Sequence, residues 1–150
     1  MSDVLIGSFR GKGAATQSTD QVVTQQHIRP NGERLSIAIL ADGGALAEAS
    51  GYVANIAADA ALRYLVQGTE SDMSDLTSNA IKFAHKTTLA TLNNLEEVGC
   101  SLAIAVILEG KAGRKLFIAH VGNSRIYLVR DNRLNQLNLE HKIGRASCRE

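Results

Sequence analysis

Apolar residues alternate or run continuously near both ends of the chain, which is typical of strands, and they recur with helical spacing between those regions. Apolar and β-branched runs bounded by turn residues predict strands at 3–9, 20–28, 34–41, 101–108, 114–121, 125–130 and 133–141. A proline-asparagine-glycine turn at 30–32 joins two of these runs. The pattern therefore predicts strands before and after a central helical region.

Two segments of the central region place apolar residues at three- and four-residue intervals, which indicates helices. We expect the first helix to follow an N-cap at Ser50 and to end at Gly68. The second opens in SDMSDLTSNA at 71–80 and is expected to end at Gly99. Strands, then two consecutive helices, then an antiparallel meander predict the α+β class rather than α/β.

Composition and charge narrow the possible partners. The chain has 150 residues, of which 45% are hydrophobic and 21% charged, as expected for one globular domain. The chain has 16 basic and 15 acidic residues, so it lacks the excess of positive charge that binds nucleic acid. No nucleic-acid partner is therefore expected. The sequence has no apolar run near the roughly 20 residues that span a bilayer, so no membrane partner is expected.

The last eight residues, IGRASCRE at 143–150, resemble a translated sequencing adapter, and we interpret them as a non-native tail. The alternative is a genuine basic tail. On the first interpretation, residues 1–142 form a partial domain and the natural protein continues past Lys142. Cys100 is then the only native cysteine, which is compatible with a cytoplasmic location.

Two aspartates are the main candidates for chemistry. Asp42 follows a buried strand in ADGG at 41–44, and Asp20 opens the preceding strand. Pairing of the two strands would bring both residues to one open end of a hairpin, where Mg²⁺ or Mn²⁺ would find clustered oxygen ligands. A glycine turn with a solvated aspartate is the alternative, and a phosphate-binding loop is a third, although ADGG lacks the spacing and lysine of a P-loop.

These segments resemble the metal-dependent serine/threonine protein phosphatases of type 2C, the PPM family. The longest similarity is LFIAHVGNSRIYLVRDNRLNQLNLEH at 116–141, which is similar to the G-D-S-R meander of the family. GCSLAIAVI at 99–107 resembles its Gly-Thr-Thr strand, IAILADGG at 37–44 its D-G-x-G-G segment, and STDQVV at 18–23 its N-E-D motif. Together they extend over nearly all of residues 3–142.

The resemblance implies an αββα sandwich, here incomplete, and hydrolysis of phosphoserine and phosphothreonine by water activated between two Mg²⁺ or Mn²⁺ ions. By correspondence with the family motifs, Asp20 would bind a metal ion and Asp42 would bridge both ions. The backbone carbonyl of Gly43 would help to bind one of these ions. No covalent intermediate and hence no catalytic nucleophile is implied. The implied partner is a phosphoprotein substrate or a regulatory protein.

The sequence also departs from the family at acidic positions. Thr19 replaces the acid of N-E-D, Asn123 replaces the aspartate of G-D-S-R and marks a degenerate third-metal position, and Glu140 replaces the aspartate of D-H. The later Asp-Gly and Asp-Asn motifs would lie beyond Lys142. We therefore expect weak metal binding and an inactive fragment. The complete protein is expected to be either a divergent phosphatase or a pseudophosphatase that acts as a binding or regulatory module.

The phosphate-contacting arginine of the family has no aligned match in this sequence. Ala15 stands near its place, while Arg10 and Lys12 are close in sequence but unaligned.

Overall fold

The computed structural model describes residues 3–11, 18–43, 47–92 and 99–139. The elements in chain order are β1 (Gln21–Ile28), β2 (Arg34–Asp42), α1 (Ala47–Gln67), α2 (Met73–Leu92), β3 (Ser101–Gly110), β4 (Gly113–Val121), β5 (Tyr127–Arg130) and β6 (Arg133–Gln136). The predicted α+β class is confirmed, since antiparallel strands and two consecutive helices make up the described chain.

β1 to β4 form one antiparallel sheet in chain order, and β5 pairs with β6 in a separate hairpin. Alternate residues of the two central strands face the core, because side chains along a strand point to opposite faces in turn. The core-facing residues of β2 and β3 are almost fully buried: Leu35, Ile37, Ile39, Ala41, Leu102, Ile104 and Val106.

The two helices cover one face of this sheet. α1 packs mainly over β1 and β2, and α2 over β4. The buried side of α1, which packs against both the sheet and α2, is rich in alanines, namely Ala54, Ala57, Ala58, Ala60 and Ala61. Small side chains let a helix approach its neighbours closely, and the larger buried side chains come mainly from the strands.

The helix ends differ in part from the prediction. α1 begins at Ala47, so Ser50 lies in its first turn, and the predicted N-cap there is wrong. Alanine and glutamate are strong helix formers and extend the helix one turn earlier. Gly68 does end α1, with its N–H donated to the carbonyl of Tyr64 at 2.8 Å. The cap of α2 is Asp72, whose carboxylate accepts the N–H of Ser74 at 2.6 Å.

The described part of α2 ends at Leu92. Residues 93–98, between the end of α2 and the stop predicted at Gly99, lie outside the described residues. The strand predicted at 3–9 does not form. Leu5 and Phe9 are 93% and 90% exposed, so the alternating apolar positions find no surface to pack against. The segment instead runs beside β1, where the amide of Gln26 donates to the carbonyl of Val4 at 3.2 Å.

The six remaining predicted strands are all present as β1 to β6, and the last two are shorter than expected. β5 and β6 are joined by Asp131 and Asn132, whose φ angles of 51° and 60° suit a two-residue hairpin turn. Neither α1 nor α2 is long and apolar enough to cross a membrane.

Candidate metal centre

The sheet register places the ends of four neighbouring strands in one row. Asp42 pairs with Ser101 across β2 and β3. Asp20 comes directly before β1 and lies beside Asp42, and Gly122 comes directly after β4 and lies beside Ser101. We call this row (Asp20, Asp42, Ser101 and Gly122) the acidic end of the sheet.

The strand alternation decides which face the two aspartates occupy. Ala41 is fully buried under the helices, so Asp42 points to the opposite face of the sheet. Asp20 stands opposite Asp42 in the antiparallel register and points to that same face. The structure therefore brings together the two aspartates that the sequence analysis singled out, and it does so on the face that the helices leave open.

The electrostatics indicate that the two carboxyl groups adjoin. Burial raises the pKa of Asp20 above its ordinary value, and the negative charge of Asp42 and a hydrogen bond between the two carboxyls raise this pKa further. The positive charge of Arg10 opposes this rise. A carboxyl pair of this kind favours sharing a proton or taking up a cation.

The Cys100 thiol borders the same site. Burial raises its pKa, and the charge of Asp42 adds to the rise, so the thiol is held in its neutral form. Cys100 packs against the hydrophobic core, as expected for a small buried apolar residue.

Two backbone segments lie near the acidic end of the sheet, namely Gly43 and the start of α1. Gly43 follows Asp42 directly and is buried. A Cβ atom added at Gly51, in the first turns of α1, would lie 3.6 Å from the Cα of Thr19. The start of α1 thus packs against the residue that precedes Asp20, and this contact holds the end of the loop in place.

The turn after β4 carries Asn123, whose side chain is exposed. Gly122 adopts a φ of +91°, and a Cβ there would come within 2.5 Å of the Cβ of Ser101. Gly122 is two strands away from Asp42, which corresponds to about 10 Å. The structure therefore places Asn123 at the same end of the sheet without joining it to the carboxyl pair.

Three hydrogen bonds set the shape of this turn. The hydroxyls of Ser101 and Ser124 share a hydrogen bond of 2.5 Å. The buried amide of Asn138 accepts the N–H of Ile126 at 2.7 Å and donates to the carbonyl of Ser124 at 2.8 Å. Sequence reasoning missed Asn138, because an asparagine in an alternating stretch carries no local mark of its burial.

Sequence reasoning also left Arg10 unassigned. Its guanidinium donates to the backbone carbonyl of Asp20 at 2.9 Å and to the side-chain oxygen of Gln21 at 3.0 Å. The residue lies ten positions before Asp20, and only the path of the chain beside β1 brings it to the acidic end.

The oxygen atoms available at the acidic end are of a kind that divalent ions bind. Two carboxylates and a backbone carbonyl are hard ligands of the type that Mg²⁺ and Mn²⁺ take, and the repulsion between the carboxylates is relieved by a cation. Within the described ranges, no group of three or more His, Cys, Asp and Glu side chains could hold a metal ion. The described residues therefore do not form a complete metal site by themselves.

A family profile described as Protein phosphatase 2C matches residues 5–147. This chain belongs to the protein phosphatase 2C family. The match reaches into the eight residues interpreted above as a tail, and the domain boundary at residue 142 stays a prediction. A search of curated proteins gave no significant match.

Solved phosphatase structures share the fold of this family member. The serine/threonine phosphatase PstP/Ppp of Mycobacterium tuberculosis is 22% identical, with a TM-score of 0.61 over 85% of this chain and 50% of that chain. The catalytic domain of PstP in complex with two manganese ions is also 22% identical, with a TM-score of 0.62 over 85% and 51% of the two chains. Stp1 from Staphylococcus aureus is 16% identical, with a TM-score of 0.58 over 94% and 57%.

The phosphatase 2C chain therefore spans about half the length of the solved structures that it matches. Its α+β fold is the incomplete form of the fold in those phosphatases, as the resemblance implied.

Proposed function

We propose that this chain is part of a metal-dependent protein phosphatase that removes phosphate from phosphoserine and phosphothreonine, and that the 150 residues alone turn over no substrate. The observation that carries this proposal is the adjoining pair of carboxyls, Asp20 and Asp42, at the end of the sheet. Family membership supports it, because the pair falls at the positions where the resemblance places metal ligands.

The metal ligands in this proposal are the carboxylates of Asp20 and Asp42 and the backbone carbonyl of Gly43. When bound, Mg²⁺ or Mn²⁺ supplies a water of lowered pKa and positive charge that offsets the charge of the phosphate. In this proposal Asp42 would serve both ions; it lies in β2, between β1 and β3. Asp20, directly before β1, would bind one of the two ions from the other side. No side chain is required as a nucleophile, because the attacking group is water.

The inactivity of the fragment follows from ligand count. Two carboxylates are fewer than a two-metal site needs, and a neutral amide at Asn123 contributes no ligand charge. We propose that the natural coding sequence continues past Lys142 and supplies the remaining acids. In that form the protein would act in the cytoplasm on phosphoproteins in signalling.

A second candidate function is a pseudophosphatase that binds phosphoproteins or a regulatory partner without hydrolysis. The specific observation in its favour is the loss of acids at two motif positions, Thr19 and Asn123. Both positions lie near the acidic end, where an active enzyme would need negatively charged side chains to bind metal ions.

The first test is the sequence of the natural gene beyond the codon for Lys142. An Asp-Gly strand end followed later by Asp-Asn supports the phosphatase, and the complete protein should then hydrolyse a phosphothreonine peptide in Mn²⁺ or Mg²⁺. Asp42→Asn is expected to abolish this activity. Continuation without those acids would contradict the enzyme proposal and favour the binding module. Activity that survives Asp42→Asn would contradict the proposed role of Asp42 as a metal ligand. A gene that ends at residue 150 would contradict the tail interpretation.

A further inference from the structure

The amino-terminal segment carries a positive charge to the acidic end of the sheet. Residues 3–11 run antiparallel beside β1, with Val4 held by Gln26 and Arg10 held at Asp20 and Gln21. This path puts the guanidinium of Arg10 next to the proposed metal ligands. The position of the Arg10 guanidinium therefore depends on contacts at both ends of residues 3–11.

Among the described residues, the two hydrogen-bond acceptors of Arg10 are neutral. One is the backbone carbonyl of Asp20 at 2.9 Å, and the other is the side-chain amide oxygen of Gln21 at 3.0 Å. The guanidinium thus lies beside the carboxyl pair, and its positive charge acts on Asp20 through space. An arginine stays charged at any physiological pH, so this charge is permanent.

We propose that Arg10 is an internal cation of the acidic end that weakens the affinity of Asp20 and Asp42 for a divalent ion. The inference rests on the proposed function, since it requires that the pair binds metal. In the empty site Arg10 offsets part of the repulsion between the two carboxylates. In the loaded site it repels the ion, and both effects favour the empty state.

Coulomb's law sets the size of the effect. A single and a double positive charge about 8 Å apart, in surroundings close to water, repel enough to change an equilibrium constant about five-fold. Because Arg10 is exposed, salt should screen this repulsion strongly. The effect is therefore measurable at low ionic strength and fades as salt is added.

The test is a calorimetric titration of Mn²⁺ into the 150-residue chain and its variants at low salt. Arg10→Gln is expected to bind Mn²⁺ about five-fold more tightly than the parent chain, while Arg10→Lys, which keeps the charge, should bind as the parent does. The matched control is Arg63→Gln. Arg63 is an exposed arginine of α1, about 18 Å along the helix from Gly51. This variant should leave the affinity unchanged.

Three results would overturn the inference. Arg10→Gln could bind Mn²⁺ no more tightly, Arg10→Lys could behave like Arg10→Gln, or the gain could persist undiminished at about 0.5 M salt. If Arg10→Gln does not fold, Gln21→Ala removes one acceptor of the guanidinium and should raise the affinity by a smaller factor. An unchanged affinity of a folded Gln21→Ala protein would then count against the proposal.

Asp42→Asn separates this inference from the proposed function. If Asp42→Asn loses Mn²⁺ binding while Arg10→Gln matches the parent, the metal site stands and the role of Arg10 is wrong. If the parent chain and Asp42→Asn bind Mn²⁺ equally, the proposed metal site itself is wrong and the inference falls with it. If neither binds Mn²⁺, the 150 residues hold no ion for Arg10 to repel, and the inference is overturned while the proposed function of the complete protein is not.

Discussion

The two ends of the four-stranded sheet handle charge in opposite ways. At the acidic end, Asp20 and Asp42 bring two like charges together. At the other end, which we call the hairpin end (Arg29, Glu33, Tyr64 and Glu70), each charged group has an opposite or polar partner. Arg29 is 9% exposed, and its guanidinium contacts Glu33 at 3.3 Å and the backbone carbonyl of Glu70 at 2.6 Å.

The hairpin end is a closed set of complementary contacts. The hydroxyl of Tyr64 donates to the carboxylate of Glu70 at 2.5 Å, and the amide of Asn79 donates to the same oxygen at 3.4 Å. The hydrogen bond from Tyr64 lowers the pKa of Glu70 and raises the pKa of Tyr64, as expected when one hydrogen bond favours the carboxylate and the neutral phenol. These contacts tie the loop between the helices to the β1–β2 hairpin.

The difference separates a structural cluster from a candidate site. Charged groups that satisfy one another stabilise the fold, whereas like charges held together reduce its stability and are retained where a ligand supplies the missing charge. The comparison therefore points to the acidic end as the functional end, and the following variants test it from the largest expected effect to the smallest.

The largest effect is expected from Gly122→Ala at the acidic end. The added Cβ would clash with Ser101, and alanine is strained at the positive φ of this position. The free energy of unfolding should therefore fall by about 3 kcal/mol. Gly113→Ala is the matched control, because it has a φ of +101° but no atom within 4 Å of the added Cβ. Urea denaturation should show a clearly smaller loss for Gly113→Ala. Equal losses would mean that the contact with Ser101 is unimportant.

Arg29→Ala should weaken the hairpin end by about 2 kcal/mol. It leaves the carbonyl of Glu70 without its donor and Glu33 without its cation, although partial exposure of Glu33 reduces the cost. Arg34→Ala, at an exposed position of β2, should change the free energy of unfolding by less than about 0.5 kcal/mol. If both variants unfold at the same urea concentration, the network around Arg29 does not stabilise the fold.

Asp42→Asn should have the opposite sign and stabilise the metal-free protein by about 1 kcal/mol. The substitution removes one of two adjoining negative charges while keeping the shape of the side chain. The same variant should lose the increase in melting temperature that Mn²⁺ gives the parent chain. A metal-free Asp42→Asn protein that melts below the parent would show that the carboxyl pair is not under electrostatic strain.

The smallest effect is a pH dependence that differs in sign between the two ends. The pKa of Asp20 is raised above its ordinary 3.8, so the folded state binds this proton more tightly than the unfolded chain does. The stability that Asp20 contributes is full below pH 3.8 and is lost as pH rises through its folded pKa. The pKa of Glu70 is lowered from 4.5, so its contribution is present above that pH and is lost as pH falls.

Urea denaturation of the metal-free protein from about pH 3.5 to about pH 7 measures both effects. The parent chain should lose stability relative to Asp20→Asn as pH rises, and should gain stability relative to Glu70→Gln over the same range. If the stability difference between parent and variant changes in the same direction with pH for Asp20→Asn and for Glu70→Gln, the two ends do not differ in their electrostatics.

Much of the candidate site was predictable from the sequence, because its main elements are local. The turn at 30–32 and the apolar runs on either side of it predict the β1–β2 hairpin, and an antiparallel hairpin necessarily brings Asp20 and Asp42 to one end. The G-N-S-R turn was likewise predictable, since Gly122 suits its positive φ. The metal-binding roles of Asp20, Asp42 and Gly43 and the degenerate third-metal position at Asn123 stay predictions.

Other features could not be read from local patterns. The apolar alternation at 3–9 predicted a strand, but the strand does not form because no surface covers Leu5 and Phe9. Asn138 looks like any polar residue of a meander, and its burial depends on the turn that folds back over it. Arg10 reaches Asp20 only through the course of residues 3–11 beside β1.

The sequence by itself determined the α+β class, the strand pairs joined by short turns, the two helices and the family, because hydrophobic period and turn chemistry act between residues close in the chain. The tertiary structure decided which charges meet. It joined Arg29 to Glu70 across 41 residues and brought Arg10 beside Asp20, while it left Asn123 apart from the aspartate pair. Electrostatic interaction depends on distance through space, and distance through space is set only when the sheet and helices pack together.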